Sequence, residues 1–290
     1  MSKKGLLLGS ILADAFSLGA HWIYDSEKIK EEFGIYDKFY SPLSDSFHKR
    51  RRKGDQTHYG DQTLLLLDFM NENKKFDKSK FQKTWIKYMK NYDGYMDHAT
   101  SDTILLMESD KEWGSLSPDF AGASRIAPII FFVENKKDGI RDSIIQTKIT
   151  HNDDRVLWAA EFYARVAYLV LDKKFPTIAI EKAAEEMNNP WIDQNIFKAS
   201  EHLSLSPVEA IKKLGQSCSV QFAFPSTLYL IMKFENKYKD AMIGNVMAGG
   251  DSAGRGLIVG MILGAYNEND IPEEWIKDLK SIDRLESIFN

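Results

Sequence analysis

Apolar residues recur every three or four positions along most of this chain, while the alternation of apolar and polar residues that is typical of strands is scarce. The three-to-four spacing is the period of a helix with one buried face. It is clearest in five segments, at 64–70, 81–89, 156–171, 178–187 and 227–234. The pattern predicts a protein that is helical almost throughout, and we expect an all-α fold.

Proline and glycine residues mark where several of these helices begin and end. Pro176 and Pro207 lie where the first residue of a helix is expected, and Ser206 is placed to cap the second of these helices. Gly215 lies where a C-terminal cap is expected. Pro190 predicts the end of the helix that precedes it.

Two segments near opposite ends of the chain carry a small residue at every fourth position. This spacing puts the small residues on one face of a helix, where a second backbone can approach closely. We therefore expect two tightly packed helices in the interior of the fold. The residues are Gly5, Gly9 and Ala13 in the first segment, and Gly256, Gly260 and Gly264 in the second.

The size and composition of the chain predict a single domain over residues 1–290. The chain has 290 residues, of which 43% are hydrophobic, and no stretch rich in proline, glycine and serine divides it. Its net charge of −4 argues against a nucleic-acid binder, which usually carries a strong basic excess. We expect a small-molecule or protein-linked ligand and no nucleic-acid partner.

Cysteine content and hydropathy bear on where the protein works. The single cysteine, Cys218, excludes a disulfide within the chain and fits a reducing compartment, so we expect a cytoplasmic protein. No apolar run approaches the ~20 residues that a membrane-spanning helix needs, and we therefore expect no membrane partner.

Two short segments each place one carboxylate in a glycine-containing turn ahead of an apolar helix. The first, at 59–63, contains Asp61, and the second, at 249–254, contains Asp251 followed by Ser252. Glycine lets the backbone turn freely, and the unpaired N–H groups of a helix N-terminus favour an anion or a metal-binding loop. Asp61 has a simpler alternative role, which is to cap the helix that follows it.

Asp14 interrupts an apolar helical segment at 11–18 that has the pattern of a core helix. A buried carboxylate is costly unless it is paired, hydrogen-bonded or bound to a metal. We therefore expect Asp14 to face a functional group, with pairing to a lysine or arginine as the structural alternative.

A polar turn at 150–154 precedes the long helix predicted at 156–171. Asp153 can cap that helix. His151 lies beside the positive end of the helix dipole, so it is expected to stay neutral and to hydrogen-bond a sugar hydroxyl. Capping and ligand binding both remain open for this turn.

A stretch of small residues at 120–128 contains Gly122 and Ser124, followed by Arg125. Small side chains leave the backbone N–H groups accessible to a pyrophosphate or ribose. They also suit a tight helix contact, which is the structural alternative.

A basic run at 48–53 lies just before the first acidic segment. It can contact phosphate, although a short charge run is more typical of a solvated loop. We expect a solvated loop.

Together these segments resemble the ADP-ribosylglycohydrolase family, including its crystallin-like members. The resemblance spans residues 5–265 in consistent order. It implies a compact, orthogonal multi-helix domain in which two metal motifs meet at one cleft, and cleavage of the C1″ bond between ADP-ribose and an acceptor. It rests on the helix at 13–15, the metal motifs at 59–63 and 249–256, the substrate loop at 122–128 and the turn at 150–153.

The resemblance implies roles for individual residues. Asp61 and Asp251 are the implied catalytic residues, and with Ser252 they are the implied metal ligands. The implied substrate-binding residues are Asp14, Gly122, Ser124, His151 and Asp153.

The chain departs from the family pattern where metal ligands are expected. Gly60 and Gln62 replace a threonine and an aspartate of the first motif, and Ala253 and Gly254 replace an aspartate and a threonine of the second. Because Mg²⁺ can be held by one or two carboxylates and water, we expect at most one weakly bound Mg²⁺ ion. Arg255 can supply positive charge in place of the missing metal, and we add it to the substrate-binding residues.

The expected function is hydrolysis of an ADP-ribose-like N- or O-glycosidic bond. Two alternatives stay open: a non-catalytic binder of ADP-ribose or a related nucleotide, and a crystallin-like structural protein. The structural role alone does not account for the retained polar residues, which are Asp14, Asp61, His151, Asp153 and Asp251.

Overall fold

The computed structural model describes residues 1–289, and within them it contains helices, two isolated β-bridges and no strand. The all-α prediction is confirmed. No helix among these residues is long and apolar enough to cross a membrane. The helices are α1 Lys3–Ser17, α2 Ser26–Phe33, α3 His58–Asn73, α4 Lys78–Lys90, α5 His98–Glu108, α6 Ala121–Ser124, α7 Ala127–Phe132, α8 Lys136–Thr150, α9 Asp154–Leu171, α10 Pro176–Met187, α11 Pro190–Ser200, α12 Pro207–Leu214, α13 Val220–Phe234, α14 Tyr238–Met247, α15 Ser252–Tyr266, a 3₁₀-helix Glu268–Asp270, α16 Glu273–Asp278 and α17 Ile282–Phe289.

Helices α1 and α15 form the central pair of the fold. A Cβ atom on Gly9 would collide with the carbonyl oxygen of Gly260, and one on Gly5 would collide with that of Gly264. The two backbones are therefore in direct contact along the glycine faces. The predicted close packing of these helices is confirmed.

The remaining helices pack around this central pair. Helices α9, α13 and α14 contact α15, whereas α3 and α7 contact α1. A single large hydrophobic core joins most of them, and a smaller cluster joins α3 to α4. Helix α3 also contacts α15, which brings the two acidic segments of the sequence into the same region of the molecule.

Most of the predicted helix boundaries are confirmed. Pro176 opens α10, Ser206 caps α12 with Pro207 as its first residue, and Gly215 is the C-cap of α12. Pro190 follows the end of α10 as predicted, and it also opens α11.

The segment at 59–63 lies inside α3, so the predicted turn there is wrong. Thr57 is the N-cap of α3, and its hydroxyl accepts a 3.1 Å hydrogen bond from the backbone N–H of Tyr59. The helix consequently begins at His58, upstream of the apolar run. Asp61 projects from the first turn of α3 and does not cap it.

Candidate functional site

A cluster of polar side chains lies where α3, α5 and α15 meet the end of α8, the segment after α1 and the loops before α3 and α6. In it, Nε2 of His21 lies 3.7 Å from Oδ1 of Asp251, and Nε2 of His58 lies 3.3 Å from Oδ2 of Asp97. All but one of its members are buried; the exception, Asp119, is partly exposed. We call this group the polar cluster, and it consists of His21, His48, His58, Tyr59, Asp97, Asp119, His151 and Asp251.

Asp251 lies at the start of α15 and is completely buried. It follows Gly249 and Gly250, whose φ angles of +73° and +71° confirm the predicted glycine turn. Neither carboxylate oxygen has a hydrogen-bond partner within residues 1–289. Burial raises the pKa of Asp251 to about 6, and the positive charge of Arg255 opposes that rise.

Arg255 is buried behind Asp251 and does not face a cleft. Its Nε donates a 2.9 Å hydrogen bond to Oδ1 of Asn245, and its Nη2 donates a 2.6 Å bond to the carbonyl oxygen of Gly249. The guanidinium thus holds the glycine turn in place. The prediction that Arg255 takes the place of a metal and binds substrate does not fit this geometry.

Ser252 follows Asp251, and its hydroxyl oxygen is also buried without a partner. Its carbonyl oxygen accepts a 2.7 Å hydrogen bond from Nδ2 of Asn245. The start of α15 therefore offers three unpaired oxygen atoms, two from Asp251 and one from Ser252. Oxygen donors of this type suit a hard cation such as Mg²⁺.

Asp61 is engaged by an arginine and a tyrosine. Oδ2 of Asp61 accepts a 2.5 Å bond from Nη2 of Arg51 and a 2.6 Å bond from the hydroxyl of Tyr92. Burial raises the pKa of Asp61, and the hydrogen bond from Tyr92 and the positive charge of Arg51 offset part of that rise. The carboxylate lines a cavity of about 560 Å³ together with Leu65 and Tyr88.

The two implied metal ligands Asp61 and Asp251 differ in their surroundings. A guanidinium already neutralises Asp61, whereas both oxygens of Asp251 and the hydroxyl oxygen of Ser252 are unpaired within residues 1–289. No group of three or more His, Cys, Asp or Glu residues there could hold a metal ion. The donors that fit a cation in this structure are therefore the oxygens of Asp251 and Ser252, and the convergence of Asp61 and Asp251 on one ion stays a prediction.

Gln62 stands where the family motif has an aspartate, and it serves as an internal support. Its Oε1 accepts a 2.8 Å hydrogen bond from Nε1 of Trp85 and a second from the guanidinium of Arg125. Arg125 also donates to the hydroxyl of Thr150. This side chain is unavailable to a metal.

Asp14 is completely buried and supports the start of α3. Its two oxygens accept hydrogen bonds of 2.7 Å from the backbone N–H and 2.6 Å from the hydroxyl of Thr57. The expected ligand role does not fit this position, and the alternative pairing with a lysine or arginine is also wrong. Burial raises the pKa of Asp14 to about 7, against the hydrogen bonds from Thr57.

Gly122 makes room for the ring of His151, because a Cβ atom at this position would overlap the imidazole. The carbonyl oxygen of Gly122 accepts hydrogen bonds of 3.0 Å from Nε2 of Gln146 and 3.1 Å from the hydroxyl of Thr147. Ser124 is buried and bonds to the carbonyl of Phe120 at 3.0 Å. In this structure the small residues serve a close contact with α8.

His151 ends α8 as its C-cap, and its ring is buried in the polar cluster. Nδ1 lies 2.9 Å from the hydroxyl of Thr150, whereas Nε2 has no partner among residues 1–289. Burial and the nearby Arg125 lower the pKa of His151 to about 3. The ring is therefore neutral, and its free nitrogen remains available to a ligand.

Asp153 caps α9. It accepts a 2.9 Å hydrogen bond from the backbone N–H of Arg155 and forms a 3.0 Å ion pair with the same side chain. The capping alternative is confirmed. This carboxylate has no contact with the polar cluster among the hydrogen bonds and ion pairs within residues 1–289.

Three histidines of the polar cluster were not among the expected site residues. His48 begins the basic run that predicts a solvated loop, yet its side chain is only 3% exposed. Its Nε2 lies 3.0 Å from Nδ1 of His58, and its ring lies 5.4 Å from that of His21. The signals in the sequence were His58, which directly precedes the acidic segment at 59–63, and His21, which follows the helical segment that carries Asp14.

Comparison with known proteins gives a consistent picture. The family model described as ADP-ribosylglycohydrolase matches residues 3–290. Crystallin J1A and Crystallin J1B of Tripedalia cystophora are 26% and 24% identical to this chain, and each alignment covers 94% of this chain and 90% of the relative. A solved structure described as an ADP-ribosylglycohydrolase-related protein complex has a TM-score of 0.70 at 15% identity, covering 99% of this chain and 94% of that chain.

Proposed function

The chain belongs to the ADP-ribosylglycohydrolase family, and from this premise we propose that it hydrolyses an N- or O-glycosidic bond of an ADP-ribose-like substrate. The observation that carries the proposal is the group of buried polar atoms without partners in the polar cluster. They include both oxygens of Asp251, Nε2 of His21 and Nε2 of His151.

Unpaired buried polar atoms are costly, since each one left without a hydrogen bond costs about 1–3 kcal/mol. Most proteins have few of them, and an ordinary core replaces them with apolar groups or pairs them. Several such atoms in one place therefore support a role in binding a polar ligand. Hydroxyl and ring oxygens of a ribose are suitable partners for them.

We propose Asp251 as the catalytic carboxylate. A carboxylate beside the anomeric carbon can stabilise the oxocarbenium-like transition state of glycosidic cleavage or accept a proton from water. Asp61, the other implied catalytic residue, is neutralised by Arg51 in this structure and is available only if that ion pair opens. His151 is placed to hydrogen-bond the sugar through its free nitrogen.

We further propose that at most one Mg²⁺ ion binds, weakly, to Asp251 and Ser252. A bound Mg²⁺ ion supplies positive charge that polarises a coordinated oxygen. Weak binding is expected because a single carboxylate provides little of the negative charge that holds a divalent ion.

A non-catalytic binder or a crystallin-like protein is the second candidate. It is favoured by the Arg51–Asp61 ion pair, which occupies one implied metal ligand, and by the similarity to two crystallins. Such a protein would retain the fold and part of the binding site without turnover.

Two measurements test the proposal. Thermal unfolding in the presence of ADP-ribose, NAD, AMP or Mg²⁺ detects binding, because a ligand of the native state raises the melting temperature. Chromatography of ADP-ribosylated substrates then detects release of ADP-ribose. Turnover supports the hydrolase, and a shift in melting temperature without turnover favours the binder. The absence of both effects supports the crystallin-like role.

A further inference from the structure

Asp97, His58 and His48 form a continuous chain of polar contacts inside the polar cluster. Oδ2 of Asp97 lies 3.3 Å from Nε2 of His58, and Nδ1 of His58 lies 3.0 Å from Nε2 of His48. All three side chains are buried. The contact of Asp97 with His58 is an ion-pair contact, and neither Nε2 of His58 nor Nδ1 of His48, at the end of the chain, has a hydrogen-bond partner within residues 1–289.

The orientation of this chain is set by Asp97, the N-cap of α5. Its Oδ1 accepts a 2.6 Å hydrogen bond from the backbone N–H of Thr100, which leaves Oδ2 to face His58. Burial alone would raise the pKa of Asp97, but the contact with His58 outweighs it and holds the pKa below its ordinary value. Asp97 is therefore a carboxylate, which can only accept hydrogen bonds.

The carboxylate determines which nitrogen of each ring carries a proton. A carboxylate 3.3 Å from Nε2 of His58 favours a proton on that nitrogen, which leaves a lone pair on Nδ1. Nε2–H of His48 donates to that lone pair, so Nδ1 of His48 also carries a lone pair. Burial, His58 and Arg51 lower the pKa of His48 to about 2, which keeps this ring neutral in the resting state.

His48 lies on the loop between α2 and α3 and borders a cavity of about 200 Å³ with residues 47–51, Gly94 and Tyr95. The rings of His21 and Trp22 lie 5.4 Å and 5.7 Å from that of His48. A water molecule has room in a cavity of this volume. The side chain at the end of the chain therefore borders a space that water can enter.

We propose that His48 is the general base of the hydrolysis and that Asp97 and His58 support it as a proton relay. The proposal rests on the proposed function, because it assigns a residue to that reaction. In this relay the general base passes its proton to a second histidine, and a carboxylate stabilises the imidazolium that forms. Such a base needs no metal to activate water.

Water gives a proton to Nδ1 of His48, while its oxygen forms a bond to the anomeric carbon. His48 passes its Nε2 proton to Nδ1 of His58, which becomes an imidazolium paired with Asp97. The glycosidic bond breaks with its electron pair on the acceptor, which takes a proton from solvent.

A purely structural chain of polar contacts would end on a partner. Here the terminal nitrogen is buried and unpaired, and pairing it would make the loop more stable. An arrangement that keeps a lone pair free at this cost is typical of a reactive group.

The chain of polar contacts is tested first by ¹⁵N nuclear magnetic resonance of the histidine rings at neutral pH. We expect His48 and His58 to be neutral with the proton on Nε2, and Asp97→Asn to disturb His58 most. Any other proton arrangement on the two rings overturns the relay. A zinc ion held between Nε2 of His48 and Nδ1 of His58 would also overturn it, and would appear as loss of the His48 Nε2–H signal that a chelator reverses.

The catalytic role is tested with an aryl ether of ADP-ribose that releases nitrophenolate, a leaving group that needs no proton donor. General-base catalysis typically contributes 10²–10⁴-fold, so we expect His48→Ala to lower kcat by about 100-fold or more. Added imidazole should restore at least part of that rate. The control is His202→Ala, which removes a partly exposed histidine that follows α11, and it should leave the rate unchanged.

Each outcome separates the two proposals. An active wild type whose rate survives His48→Ala overturns the relay but not the hydrolase. A rate loss that imidazole does not restore makes His48 a positioning residue and overturns its role as base; His48→Gln, which retains a hydrogen-bond donor, controls for misfolding. A wild type that releases no nitrophenolate, with the rings protonated as expected, overturns the hydrolase and with it the catalytic role.

Discussion

Arg51 and Asp61 form an ion pair with Nη2 and Oδ2 2.5 Å apart, and it joins the loop before α3 to the first turn of that helix. The same guanidinium lies 3.1 Å from the hydroxyl of Tyr92, which itself donates to Asp61. His48 precedes Arg51 by three residues on this loop. The ion pair therefore helps to hold the loop that carries His48, the proposed base, against the polar cluster.

Replacing Arg51 by Met should free Asp61 and expose it to cations. We expect a loss of about 1–3 kcal/mol of stability at neutral pH, because a partly buried carboxylate loses a charged partner. Millimolar Mg²⁺ should then restore part of the melting temperature, and it should do so less in the wild type, where the guanidinium occupies the carboxylate. Differential scanning calorimetry with and without Mg²⁺ measures both effects.

Arg50→Met is the matched control for this prediction. Arg50 adjoins Arg51 but pairs with Asp93 at 2.7 Å on the surface, where the two side chains are 75% and 88% exposed. Exposed pairs contribute little, so this variant should behave like the wild type with and without Mg²⁺. Equal Mg²⁺ responses in both arginine variants would contradict a specific role of Arg51.

Gly260→Ala should destabilise the fold, because a Cβ atom there would collide with the carbonyl oxygen of Gly9. Overpacking of this kind costs about 1–3 kcal/mol, and here the obstacle is backbone that cannot move as a side chain does. Urea unfolding of the variant measures the cost. Gly256→Ala is the control on the same helix, since a Cβ there has neighbours no closer than 3.2 Å; an equal loss in both would contradict the close contact.

The contact of α1 with α15 could be predicted from sequence because a four-residue repeat of small side chains is a local pattern with one geometric meaning. The same holds for the caps, such as Ser206 before Pro207. These features depend on residues that are neighbours in the sequence, and the helical period places them without knowledge of the tertiary structure.

The polar cluster could not be predicted in the same way, because irregular loops supply much of it. His48 and Arg51 lie in a basic run whose composition is that of a solvated loop, and no periodicity shows that two of its members turn inward. Asp14 was expected to need a partner, which was correct. The partner is the hydroxyl and backbone N–H of Thr57. A neutral partner of this kind is not revealed by the positions of lysine and arginine in the sequence.

Asp14→Asn should flatten part of the pH dependence of stability. Burial raises the pKa of Asp14 from 3.8 to about 7, so between these values the folded state holds a proton that the unfolded state has lost. Stability from this group is therefore greatest at low pH and is lost as the pH rises to about 7, by at most ~1.4 kcal/mol per pH unit. The variant has no carboxyl group at this position, so it lacks this part of the pH dependence.

Urea unfolding of wild type and Asp14→Asn across this pH range isolates the effect as a difference between the two curves. Asp193→Asn, at an exposed carboxylate of α11, should follow the wild type throughout. A wild-type advantage that grows as the pH rises would have the wrong sign and would contradict a raised pKa for Asp14.

Asp251→Asn should abolish activity while leaving the fold intact. In the wild type the carboxylate is buried with both oxygens unpaired, and burial raises its pKa to about 6, so at neutral pH the charge itself is a cost to folding. Removing the charge relieves that cost, although Arg255 then loses a favourable neighbour, and we expect a net change in stability within about 1–2 kcal/mol. Hydrolysis should fall by about 100-fold or more, since an amide does not stabilise an oxocarbenium ion as a carboxylate does. Asp153→Asn is the matched control, because asparagine caps a helix nearly as well as aspartate and this residue lies outside the polar cluster. Unfolding curves and rates on the nitrophenyl substrate measure the two quantities, and a variant that loses stability but keeps its rate would assign Asp251 to the fold and not to catalysis.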